Sequence, residues 1–130
     1  MTSQLTPVDP PGAHQNPAFT QGMIVPPGPV LYVGGQNGAD SSGELLEGLG
    51  PQTEQAFRNL LAVLEHAGTG PEHVARLTIY LAAGVDPTEA YAATGAVWGN
   101  RRTAVTVLAV TPARPGALVE IDAIAAVPEG

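Results

Sequence analysis

Between residues 51 and 67, apolar side chains recur at three- and four-residue steps: Ala56, Leu60, Val63, Leu64 and Ala67, with Phe57 and Leu61 widening the stripe. Gln52, Gln55, Asn59 and Glu65 fall on the other side, so the segment predicts an amphipathic helix. Pro51 suits its first position, Glu54 complements the positive end, and Gly68 supplies a stop. Residues 74–81, rich in β-formers, predict a strand, and residues 86–98 a second, weaker helix that opens on Pro87 and ends at Gly99. Two closing strands are expected at 103–110 and 118–127, joined by the Pro- and Gly-containing segment 111–116. Nearer the start, apolar runs at 21–25 and 30–35 flank Pro26-Pro27-Gly28-Pro29 and read as another hairpin, followed by an exposed loop to Gly50.

The expected order is therefore β-β-α-β-α-β-β, an α+β fold with one sheet and both helices on one face. The opposite face of such a sheet must be covered, which predicts an oligomer. Seven of the thirteen prolines precede residue 30. Residues 1–15 are expected to form a flexible N-terminal arm and residues 16–130 a single domain.

Composition narrows the function classes. A net charge of −7 repels phosphate backbones and acidic lipid surfaces, so neither nucleic acid nor membrane is expected as a partner. With no cysteine, disulfides, thiolate catalysis and Cys-ligated metals are excluded. His14, His66 and His73 lack metal-ligand spacing, and no metal is expected. The start of the chain has neither the basic nor the apolar character of a signal peptide, and no apolar run is long enough for a bilayer. A cytoplasmic protein is expected.

Candidate chemistry concentrates in the last third. All five cationic side chains are arginines, and Arg101 and Arg102 stand together where the strand at 103–110 begins. Guanidinium grips a planar carboxylate with two prongs, so the pair suggests a small anionic ligand. Glu120 and Asp122 alternate with apolar residues in the final strand, and a carboxylate in a nearly closed core needs a partner. The plainer alternatives are a surface arginine opening a strand and a structural carboxylate at a subunit contact. Asp122 reads as structural, Trp98 as core or subunit contact. Gly34, Gly35 and Gly38 lack the Lys-Ser/Thr of a phosphate loop, and Ser41 and Ser42 lack a nucleophile-elbow context. If the last two strands pair as a hairpin about the 111–116 turn, Glu120 lies opposite residues near 107, leaving Arg102 about five residues, roughly 16 Å, away. The two could then share one small ligand only across subunits, or if the strands pair otherwise.

Several separated motifs carry a family resemblance: Tyr32-Val33-Gly34-Gly35-Gln36, then Gln52-Thr53 opening a helix that runs through Asn59-Leu60, then Ala67-Gly68. The segment 74–80, Arg102-Thr103 and the closing Val119-Glu120-Ile121-Asp122-Ala123-Ile124-Ala125 complete it. Over residues 16–127 the chain resembles the RidA (YjgF) family of reactive-intermediate deaminases. The resemblance implies a chorismate-mutase-like fold, a homotrimer with ligand clefts between subunits, and cofactor-free hydrolysis of small carboxylate-bearing enamines and imines to a 2-keto acid and ammonia. By the same resemblance this is a hydrolase of the 2-iminobutanoate/2-iminopropanoate deaminase kind. Arg102 would hold the substrate carboxylate, Glu120 would position or activate water, and main-chain groups of Ala104 would help bind the ligand. Phe19 replaces the family tyrosine at the cleft wall, Gly34 the family serine, and the asparagine of the second helix has no clear counterpart. These departures keep two alternatives open: a non-catalytic trimer that binds a metabolite or serves as a pathway scaffold, and a diverged biosynthetic enzyme. Ribonuclease activity, sometimes attached to the family, fits poorly with so acidic a chain.

Overall fold

A computed structural model describes residues 4–129. Its strands are β1 (Thr6–Val8), β2 (Phe19–Thr20), β3 (Gly22–Ile24), β4 (Val30–Asn37), β5 (Val74–Ala82), β6 (Thr103–Val110) and β7 (Val119–Ala126). Two helices, α1 (Leu49–His66) and α2 (Pro87–Trp98), flank β5 in sequence. Five strands form one mixed sheet in the order β2-β6-β5-β7-β4, and β1 with β3 makes a separate two-stranded ribbon.

The α+β class and the two helices agree with expectation, but the pairing does not. β6 and β7 are not a hairpin, because β5 lies between them, parallel to β6 and antiparallel to β7. The physical reason is the crossover: the β5-α2-β6 connection returns the chain beside β5 in parallel, leaving only its other edge for β7. The link from β6 to β7 crosses the end of β5, where Ala83 N–H donates to Val110 O (3.0 Å) and Ala82 N–H to Leu118 O (2.9 Å). Nor is there a hairpin over residues 21–35. β3 pairs with β1, whereas β4 reaches the far edge of the sheet and pairs antiparallel with β7. The first fifteen residues, expected as an irregular arm, contain β1, ordered by its register with β3 (Thr6 opposite Ile24, Val8 opposite Gly22). Residues 1–3 and 130 of the expected arm and domain lie outside the described residues.

The alternation of β7 sets the layers. Val119, Ile121, Ala123 and Ala125 are buried, joined by Leu77, Ile79 and Leu81 of β5 and Val33 of β4. Against them α1 packs Ala56, Phe57, Leu60 and Leu64, all with no exposed surface. Each such large side chain contributes about 1.5–3 kcal/mol on burial. α2 starts on Asp86, whose carboxylate accepts from Thr88 N–H (2.9 Å), and seals the core with Trp98, whose ring lies 5.6 Å from that of Phe57.

α1 begins two residues earlier than the periodicity implied, so Pro51 occupies its third position, where an amide hydrogen is still dispensable. Gln52 does not face water. It is 3% exposed, donating to Leu46 O (2.9 Å) and Gly116 O (3.1 Å) while accepting from Leu118 N–H (2.8 Å). One amide thus ties α1 to the loop before it and to the turn that launches β7. Gln52→Leu keeps the volume but leaves these main-chain groups unpaired. It should lower unfolding free energy by at least about 2 kcal/mol, read as a lower urea midpoint.

Candidate functional site

Arg102 lies one residue before β6, beside the point where β2 joins the sheet, with Phe19 opposite Thr103 and Thr20 opposite Ala104. Its Nη2 donates to Asp9 Oδ2 (3.2 Å) and to the Phe19 carbonyl (3.3 Å). Asp9 reaches this place because the β1–β3 ribbon ends next to it. Its carboxylate also accepts from the Thr20 hydroxyl (2.7 Å) and from Gln21 N–H (2.9 Å). The Gln21 amide first, then the Thr20 hydroxyl and the Arg102 charge, hold the Asp9 carboxyl below its ordinary value. The Arg102 side chain remains 39% exposed.

Glu120 occupies the sheet face opposite the helices, half-buried, between Asn37 of β4 and Tyr80 of β5. Asn37 Nδ2 donates to its Oε1 (3.1 Å), and Asn59 of α1 in turn donates to the carbonyls of Asn37 (3.1 Å) and Ala39 (2.9 Å). The irregular register between Val33 and Gln36 brings Gly35 under the carboxylate. A Cβ at Gly35 would overlap Glu120 Oε2, whereas Gly34 has open space around it. Asp122, two residues on, accepts from the Tyr80 hydroxyl (2.9 Å).

The register separates the two leading candidates. Ala104 stands opposite Arg76, which makes Arg102 level with the Val74 end of β5, while Glu120 faces Tyr80. Six residues along a strand correspond to roughly 20 Å. Within one chain, therefore, Arg102 and Glu120 do not meet, and the observed pairing sets them farther apart than a β6–β7 hairpin would have done. Ala104 lies next to Arg102, flanked by β2 and β5; Gly34 lies across the sheet, near Glu120.

A cavity of about 570 Å³ opens on the helix side, between α2 and strands β5 and β6. Phe19, Leu77, Tyr91, Trp98, Val105 and Val107 line it, with Arg101. Of the residues singled out from the sequence as candidate ligand contacts, Phe19 and Arg101 line this cavity, whereas Arg102, Glu120, Gly34 and Ala104 do not. Arg101 donates to Trp98 O (2.6 Å) and rests over the Trp98 ring at 5.9 Å. Sequence reasoning missed Asp9 and Asn37. Both lie in stretches read as irregular, and no local pattern announces their partners, which are 93 and 83 residues distant.

The Tyr80 phenol is held above its ordinary 10.0, first by donating to Asp122, then by desolvation and the Asp122 charge. Its folded value exceeds its unfolded one, so this bond supports the fold below the unfolded value and is lost as pH rises through the folded one. In a Tyr32→Phe/Tyr91→Phe background, absorbance titration of Tyr80 should show a midpoint that falls when Asp122→Asn is added. An unchanged midpoint would assign the shift elsewhere.

Comparison with known proteins places these features in context. Residues 13–127 match the family described as Endoribonuclease L-PSP. A RutC family protein from Aquifex aeolicus is 40% identical over 52 residues, 39% of this chain and 42% of the relative, so the matched stretch spans less than half of that protein. Among solved structures, a Rid-family protein of unknown function from Yersinia pestis superimposes with a TM-score of 0.84 at 29% identity, over 95% of this chain and 98% of the other. RidA from an Antarctic Psychrobacter superimposes with a TM-score of 0.71 at 26% identity, over 98% and 100%. Among the described residues no helix is long and apolar enough to cross a membrane.

Proposed function

Because the chain belongs to the Endoribonuclease L-PSP family, which is the YjgF/RidA family, we propose that it hydrolyses small carboxylate-bearing enamines or imines to a 2-keto acid and ammonia. The observation that carries this reading is the placement of its two charged groups. A guanidinium stands at one end of the sheet and a half-buried carboxylate at the other, on the face that the two helices leave open. Tyr32 (74% exposed), Leu108 (47%) and Val30 (45%) stand out from that sheet, an apolar surface suited to a second copy. A homotrimer in which neighbouring copies bring Arg102 against Glu120 would bury it and complete three equivalent clefts.

In such a cleft the chemistry needs few parts. Arg102 takes the substrate carboxylate and fixes the imine carbon. Glu120, steadied by Asn37, accepts a proton from water as it adds to the carbon of the protonated imine and returns that proton to nitrogen; as the C–N bond breaks it takes up the proton of the new hydroxyl. The C=N bond is replaced by C=O, and ammonia leaves. The net charge of −7 argues against RNA as substrate, despite the description attached to the family. A second reading, ligand binding without turnover, is favoured by Phe19 and Gly34, which lack the hydroxyls of the family pattern. The space around Gly34 would admit a serine, so that hydroxyl is restorable.

With an amino-acid oxidase generating imine in situ, the protein should speed keto-acid release above the spontaneous rate. Arg102→Ala and Glu120→Gln should each cut kcat/KM by about 100-fold or more. Release at the spontaneous rate, with 2-keto acids still bound, would leave the binding reading standing. Light scattering should give about 40 kDa for three 13.2 kDa chains; a monomer mass would remove the shared cleft.

A further inference from the structure

A guanidinium grips a carboxylate side-on, through Nε and Nη2, or end-on, through Nη1 and Nη2. Both grips use Nη2. In Arg102 that nitrogen already serves two acceptors, Asp9 Oδ2 at 3.2 Å and the Phe19 carbonyl at 3.3 Å, as many as it has hydrogens. Two-pronged capture of an incoming acid therefore requires one of them to let go. The Phe19 carbonyl is fixed in β2, which pairs with β6 through Phe19 and Thr103. The Asp9 carboxylate is the acceptor that can yield, because release does not strand it: the Thr20 hydroxyl (2.7 Å) and Gln21 N–H (2.9 Å) continue to satisfy it.

We infer that Asp9 is a specificity-determining residue of the Arg102 site: its carboxylate holds the position on the guanidinium that a ligand carboxylate must take. The Asp9–Arg102 pair and a bidentate acid are then mutually exclusive. This rests on the reading that Arg102 anchors the ligand's acid group. Two consequences follow for the ligand. Its carboxylate must outcompete a partly exposed ion pair, which is a modest barrier. After displacement Asp9 stays beside the guanidinium as a free-standing negative charge. A second acid group on the ligand would meet it, so the site favours monocarboxylates over dicarboxylates.

Calorimetric titration tests this with pyruvate, its neutral amide and 2-ketoglutarate as probes. The proteins are the full chain, Asp9→Asn, Arg102→Ala and the double variant. Asp9→Asn should bind pyruvate roughly three- to fivefold tighter, the gain expected when an exposed pair no longer competes. The gain should be larger for 2-ketoglutarate, absent for the amide, and absent when Arg102→Ala is also present. Asp9→Ser removes the charge while keeping an acceptor for Gln21 N–H, and should reproduce the gain; a melting midpoint close to that of the parent certifies either variant as folded. If Arg102→Ala abolishes binding but Asp9→Asn leaves it unchanged or weaker, Asp9 props the arginine and the inference is overturned. It is equally overturned if neither the parent nor Asp9→Asn binds pyruvate. If instead Arg102→Ala binds as the parent does, the anchor itself is misassigned, and the reading of the site falls together with this inference.

Discussion

The position of β7 between two antiparallel neighbours, β5 and β4, governs the rest of the molecule. A strand so placed has no free edge, and its side chains must satisfy two faces of opposite character. One face presents Val119, Ile121, Ala123 and Ala125 to α1 and is closed by packing. The other carries Glu120 and Asp122, which are half-buried and cannot be left without partners. Asn37 from β4 and Tyr80 from β5 provide them. The same pairing that builds the core thus fixes a carboxylate on the surface the helices leave open, and the absence of a side chain at Gly35 makes room for it.

The parallel crossover through α2 then decides where the cation goes. It brings β6 alongside β5 in register, so the residue just before β6 emerges at the end of the sheet remote from Glu120. There the β1–β3 ribbon delivers Asp9, and the guanidinium is engaged within its own chain. Separation of the two charged groups is consequently a property of the topology rather than of side-chain choice. Rotamer changes span a few ångströms; they do not bridge a gap of roughly 20 Å. The apolar cavity under α2 is a different feature, on the helix side, where Thr94 and Gly95 present little bulk to β5 and β6.

What could be read in the sequence followed from short-range rules. Helix α1 announced itself through its apolar stripe and Gly68, α2 through Asp86-Pro87 and Gly99, and β5, β6 and β7 through runs of β-formers. Pairing was harder, because the hairpin inference for residues 103–127 rests on sequence proximity, which a parallel β-α-β unit overrides. Gln52 looked polar and therefore wet, yet three main-chain groups from distant loops claim its amide. Arg102 and Glu120 stood out from the arginine pair and from the carboxylates alternating in the last strand, and the family resemblance suggested a role for each. Their partners Asp9 and Asn37 stayed hidden, since a proline-rich start and a glycine-rich loop carry no periodicity to betray a long-range hydrogen bond.

The central claim is that one copy supplies the acid-gripping arginine and another the water-holding glutamate. Subunit complementation addresses it without any structural assumption. Differently tagged Arg102→Ala and Glu120→Ala chains, each inactive alone, are co-expressed and the mixed assemblies isolated. If the cleft is shared, each mixed trimer carries both intact groups in one cleft of its three, and imine hydrolysis returns at about one third of the parent rate. Mixed assemblies as silent as either variant alone would contradict the account.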